Sequence, residues 1–223
     1  MDKKLFWSAM GKFFSGLVLM GLLLFLPAGT FAYRQGWLLL GLLFLPMFIA
    51  GLVLMAKNPE LLRRRLKARE EQAEQKQVIA LSGVMFLAAF ILAGLNYRFG
   101  WIGLPRWIEG AAVVIFLLAY LLYGEVLREN VWLSRTIEVQ EHQTVVDTGL
   151  YGVVRHPMYA ATIALFLSMP LVLGSVLSFV VMLAYLPIIA RRIRNEEAVL
   201  EQGLDGYVEY KKRVKYKVIP GIW

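Results

Sequence analysis

Residues 158–190 read MYAATIALFLSMPLVLGSVLSFVVMLAYLPIIA. The run is too long for one simple crossing of a hydrocarbon core, for which about 20 apolar residues suffice. Pro170 and the pair Gly174-Ser175 interrupt it near its middle. Backbone groups freed at such a break must be satisfied within protein, so two shorter helices folded back as a membrane hairpin use the length best. Toward the N-terminus four more apolar blocks are long enough to span, at about 13–33, 36–56, 78–97 and 107–127. The expected fold is therefore all-α and polytopic, with four spans followed by the hairpin.

Composition agrees with that reading. Of 223 residues 59% are hydrophobic, 18% are charged and none is cysteine, and the mean hydropathy is +0.60. Disorder, a disulfide-built secreted module and a cysteine-ligated metal site are excluded. The formal charge of +8 would suggest nucleic acid in a soluble protein, but the basic residues flank apolar blocks, as expected beside anionic lipid head groups, and no nucleic-acid-binding motif is present. Lys3, Lys4 and Lys12 precede the first apolar run, which is longer than the roughly 7–15 residues of a signal-peptide core, so it reads as a retained span. With the N-terminus inside, 21 of the 24 basic residues fall on the cytoplasmic side and only Arg34, Arg98 and Arg106 on the other. Both termini and the loops around 57–77 and 128–157 are then expected to be cytoplasmic.

Two regions follow from the pattern: residues 1–127, holding the four spans and an interfacial helix at 58–77, and residues 128–223, holding a polar loop, the hairpin and a basic tail. Asn58-Pro59-Glu60 supplies an N-cap, an N1 proline and an acidic first turn for the interfacial helix. The chemistry-bearing residues gather in the second region. The polar loop ends in Gly149-Leu150-Tyr151-Gly152-Val153-Val154-Arg155-His156-Pro157-Met158-Tyr159. Pro157 suits the first position of a helix, which places His156 at its N-cap and Tyr159 in its first turn. A positive helix end beside Arg155 is a good place for an anionic group. Taken singly, these residues also suit snorkelling, capping and an aromatic belt.

A second cluster, Arg191-Arg192-Ile193-Arg194-Asn195-Glu196-Glu197, follows the hairpin. Its adjacent carboxylates lie near the apolar stripe of Ile189, Ile193 and Leu200, where they are costly without a cation or hydroxyl donors. The folded hairpin would return them to the level of His156, so one pocket could offer an anion site and carboxylates together, which suits a zwitterionic or cationic ligand. Tyr207, Tyr210 and Val214 share a face of a basic tail helix, read as packing on the membrane surface. Two histidines fourteen residues apart, His142 and His156, make a poor metal site, and no metal is expected.

The order and spacing of Asn130, Val145-Val146-Asp147-Thr148-Gly149-Leu150-Tyr151, Arg155-His156-Pro157-Met158-Tyr159, Glu196-Glu197 and Tyr207-x-x-Tyr210 resemble the isoprenylcysteine carboxyl methyltransferase family. The related phospholipid methyltransferases share the Arg-His-Pro-x-Tyr and Glu-Glu elements. The resemblance implies a polytopic enzyme that uses S-adenosylmethionine, bound in a cytoplasmic pocket, to methylate an amphiphilic acceptor in the lipid bilayer. It further implies that Tyr151, Arg155, His156, Pro157, Tyr159, Arg194, Glu196 and Glu197 form the cofactor site, with Arg155 and Glu197 nearest the chemistry. An isoprenylcysteine-type carboxylate is the first acceptor to expect, ahead of a phospholipid amine or a small thiol. Membrane sterol reductases share a similar C-terminal architecture and bind NADPH, but carry Asn before the motif tyrosine, where this chain has Met158.

Overall fold

The computed structural model describes residues 3–66, 73–134 and 136–223. Nine α-helices and one 3-10 turn are assigned among them: α1 (Lys3–Ala28), α2 (Arg34–Lys57), α3 (Pro59–Leu66), α4 (Ala73–Phe99), α5 (Arg106–Glu129), the 3-10 turn (Gly149–Gly152), α6 (Pro157–Val172), α7 (Val176–Met182), α8 (Tyr185–Gly203) and α9 (Tyr207–Arg213). No strand occurs among the described residues. Five segments are long and apolar enough to cross a membrane: α1, α2, α4, α5 and the stretch Val176–Gly203 that joins α7 to α8. Their outer faces carry exposed Val18, Leu45, Val84 and Leu121, as a surface facing lipid requires.

Small residues set the helix crossings. Ala89 and Ala93 of α4 are fully buried, and a Cβ on Gly94 would stand 2.6 Å from the Leu24 carbonyl oxygen of α1. Close backbone approach of this kind is how helices gain contact where lipid removes the hydrophobic incentive. Across the bundle α5 packs along α6, with Ala112, Phe116, Ala119, Leu165 and Met169 in one core.

The hairpin forms as the sequence predicts. α6 runs through Pro170 to Val172, Gly174 adopts φ +71°, and Ser175 caps α7 by accepting from the Ser178 N–H at 3.2 Å. The tip is tied to the turns joining the other spans. Tyr33 donates to the Leu173 carbonyl at 2.7 Å, and Asn96 donates to the carbonyls of Ile102 (3.0 Å) and Gly174 (3.5 Å). The returning arm breaks once, at Leu183-Ala184. Pro187 explains the break, since it has no N–H for the Leu183 carbonyl and its ring would collide with that group in a continuous helix.

Two features differ from expectation. α1 ends at Ala28 rather than near residue 33, because Gly29 turns left-handed at φ +69°. Of the expected interfacial helix 58–77, α3 covers Pro59–Leu66 and residues 73–77 belong to α4; residues 67–72 lie outside the described residues. Asn58 does cap α3, accepting from the Leu61 N–H at 3.1 Å. The tail face of Tyr207, Tyr210 and Val214 packs inward on Val139, Val145 and Leu200, not on a membrane surface.

Candidate functional site

The approach to the site is built on α5. Glu129, in its last turn, accepts from the Leu150 N–H at 2.9 and 3.2 Å, which fixes the 3-10 turn against the helix end. Gly149 makes this possible. It sits at φ +54°, and a Cβ there would fall 1.8 Å from the Glu129 Oε1. Tyr151 follows, buried, with its carbonyl receiving the Tyr210 hydroxyl at 2.7 Å. The chain then enters α6 with Pro157 at the first position, but His156 makes no side-chain cap; its ring turns toward α8.

There the carboxylate of Glu197 forms the centre of a buried charge cluster. Arg155 Nε donates to Glu197 Oε1 at 2.8 Å and His156 Nε2 lies 3.2 Å from the same oxygen. Lys217 Nζ is 3.1 Å from Oε2, with Lys211 farther off at 3.9 Å. The side chains of Arg155, His156 and Glu197 are each only 4–5% exposed. Burying charges is costly unless each is paired and hydrogen-bonded, and the arginine meets that condition through the backbone. Its Nη1 donates to the carbonyls of Val214 (2.6 Å) and Lys215 (2.8 Å), while the Arg155 and His156 N–H groups donate to the carbonyls of Tyr216 (2.9 Å) and Lys217 (2.7 Å). Residues 214–217 thus run as a strap along the start of α6. Val218 anchors the strap in the core around Met182, Tyr185 and Ile193.

A second polar group faces the other way. Tyr159 donates to Glu196, and Arg192 Nε donates to the Tyr159 oxygen at 3.0 Å. Arg192 Nη1 also donates to Gln75 Oε1 at 3.2 Å, which ties α8 to the start of α4. The i,i+4 partner of Glu196 is therefore linked to it through the tyrosine hydroxyl.

A cavity of about 1330 Å³ joins these groups to the apolar bundle. Arg155, His156, Tyr159, Arg192, Glu196, Tyr207 and Tyr210 line its polar end, and Leu45, Ile49, Val53, Ile79 and Leu121 line the far end. The last five are all exposed on the outer faces of α2, α4 and α5, so the cavity reaches the lipid-facing surface. Its upper wall is held by α3. Arg64 donates to the Val131 carbonyl at 3.1 Å and lies 5.6 Å from the Trp132 ring, while Arg65 bonds the Tyr123 hydroxyl and the Ser134 carbonyl.

Of the residues singled out from sequence, Tyr151, Arg155, His156, Tyr159 and Glu196 line the cavity. Pro157 is buried behind it, Glu197 lies in the charge cluster behind Arg155 and His156, and Arg194 is exposed on α8. Sequence reasoning missed Lys217, the carbonyls of the strap, Gln75 and the Tyr207 hydroxyl. Backbone acceptors carry no residue signature, and a tail lysine reads as a head-group contact. For Tyr207 the signal was present, in the apolar spacing of Leu204, Tyr207 and Tyr210, but it was referred to the membrane.

Fold and site together define the class: a polytopic, all-helical membrane protein with a buried polar cluster at one end of an otherwise apolar cavity. Residues 110–202 match the model of the isoprenylcysteine carboxyl methyltransferase (ICMT) family, the family that this stretch of the chain resembles. The matched stretch holds both motif clusters, whereas α9 and the strap lie beyond it. A search of curated proteins returns no match.

Proposed function

We propose that the protein is an S-adenosylmethionine-dependent methyltransferase acting on an amphiphilic acceptor held in the bilayer. The observation that carries this reading is the single cavity with a polar end at the start of α6 and an apolar end open to lipid. Its volume exceeds the roughly 300–1,000 Å³ of an ordinary ligand pocket, enough for a cofactor and part of an acyl or prenyl chain side by side. The residues present fit the cofactor: a carboxylate (Glu196) and an unpartnered hydroxyl (Tyr207) converge on the polar end, as a zwitterionic ligand needs.

When bound, S-adenosylmethionine supplies a methyl group on a sulfonium, and its in-line transfer neutralises charge, so alignment and exclusion of water are the main tasks of the protein. Arg155 and Glu197 do this as a buried frame that fixes the start of α6 against α8. His156 and Tyr159 orient the ligand from α6, and Glu196 faces its cationic part. Tyr151 shapes the wall with Pro157 buried behind it, and Arg194 stands exposed on α8.

An isoprenylcysteine-type carboxylate is the acceptor this arrangement suits. It is ionised at neutral pH and needs no base, and the lining carboxylate, Glu196, is already engaged by Tyr159. A phospholipid ammonium would first have to lose a proton. Lys57 and Arg65 also line the cavity and favour an anionic group there.

Calorimetry on the detergent-purified protein tests the cofactor. S-Adenosylmethionine should bind and NADPH should not; the reverse result would move the chain to the reductase class. Acceptors differing only in chain length test the rest, because each CH₂ moved into hydrocarbon contributes about 0.8 kcal/mol. Turnover should rise with length, and a short, soluble thiol that performs as well would overturn the amphiphile.

A further inference from the structure

Tyr207 opens α9, and its side chain is 4% exposed. Its neighbour on the same face, Tyr210, is equally buried and spends its hydroxyl on the Tyr151 carbonyl at 2.7 Å. The Tyr207 hydroxyl meets no partner among the described residues, although the residue lines the polar end of the cavity. A buried donor left unmade carries its full desolvation cost, which a ligand can remove.

The surroundings indicate which ligand atom. Burial, followed by the negative charges of Glu197 and Glu196, raises the phenol above its usual range, so the group is neutral and able to donate. An ionised carboxylate accepts only, and hydrogen bonds to a charged group are the stronger kind. The nearby guanidinium of Arg155 is turned to Glu197 and to two strap carbonyls; of the buried donors without a partner among the described residues, the Tyr207 hydroxyl belongs to a residue that lines the cavity, whereas Gln75 and Asn195 do not line it. Glu196, the carboxylate that lines the same end, suits an ammonium.

We infer that the Tyr207 hydroxyl receives the carboxylate of the cofactor's amino-acid end, with Glu196 facing the ammonium beside it. The inference rests on the S-adenosylmethionine reading above and adds a ligand contact from a helix outside the family-matched stretch. It makes α9 a part of the binding site and not only its cover.

The test compares wild type with Tyr207→Phe by calorimetry, using S-adenosylmethionine and its decarboxylated analogue, with thermal unfolding of the ligand-free proteins alongside. The variant should bind S-adenosylmethionine about tenfold more weakly and the decarboxylated analogue as well as wild type does. Its ligand-free unfolding temperature should be unchanged or higher, because an unmet donor has been removed. Tyr210→Phe, which loses a satisfied bond, should unfold earlier. Equal losses for both ligands, no loss for either, or a lower unfolding temperature with unchanged affinity would each overturn the inference. Failure of wild type to bind either ligand would overturn the cofactor reading instead.

Discussion

Glu196 and Glu197 are neighbours in sequence with opposite surroundings, and their variants should separate. Glu197 is enclosed by Arg155, His156 and Lys217. Glu197→Gln strands cations in a site closed to water, a change that typically costs about 3–5 kcal/mol. It should lower the unfolding temperature in detergent and abolish cofactor binding together. Glu196, half-buried at the cavity wall, should separate the two readouts: Glu196→Gln is expected to weaken cofactor binding at least tenfold, about 1.4 kcal/mol, with little change in unfolding. If the two variants behave alike in both measurements, the division between frame and wall is wrong. Gly149→Ala places a methyl group on the Glu129 carboxylate at a left-handed backbone position and should cost on the order of 1–3 kcal/mol of stability. Both carboxylates were legible in the sequence as a pair too costly to bury alone. Their division of labour was not, because it depends on which of two adjacent side chains faces the start of α6.

At the level of elements, hydropathy located the helices and Pro170 with Gly174 located the hairpin, because those signals are local. The Leu183-Ala184 break was equally readable from Pro187, yet it is hidden inside a uniformly apolar run. The strap was not readable at all: Arg155 is held by carbonyls of residues some sixty positions away, and any residue type provides a carbonyl. Deleting residues 214–223 should therefore remove cofactor binding even though both family motifs remain, and near-normal affinity in the truncated protein would show that the strap is dispensable. The α1–α4 crossing makes a different demand. Gly94→Leu puts a side chain where the Leu24 backbone oxygen lies 2.6 Å from the first added atom. Overpacking of this kind costs about 1–3 kcal/mol, so unfolding should shift while cofactor affinity in the surviving folded protein stays the same.

The whole molecule has one end rich in basic residues, where Arg64 and Arg65 meet the 131–134 loop and Arg191 meets Gln77, and one end where the hairpin tip meets the span turns. With no native cysteine, single cysteines can report the orientation cleanly. In intact cells an impermeant thiol reagent should label a cysteine at Gly103, beside the hairpin-tip end, and not one at exposed His142; the opposite pattern would invert the proposed topology. A cavity whose far wall is the outer surface of α2, α4 and α5 has one more consequence. Acyl chains of the surrounding bilayer can enter it, so under the proposed function an acceptor would arrive as a competitor of ordinary lipid rather than as a solute from water. Its effective concentration is then a mole fraction in two dimensions. Diluting the acceptor with inert lipid at fixed bulk concentration should slow turnover, whereas diluting the whole suspension with buffer should leave the rate per enzyme unchanged.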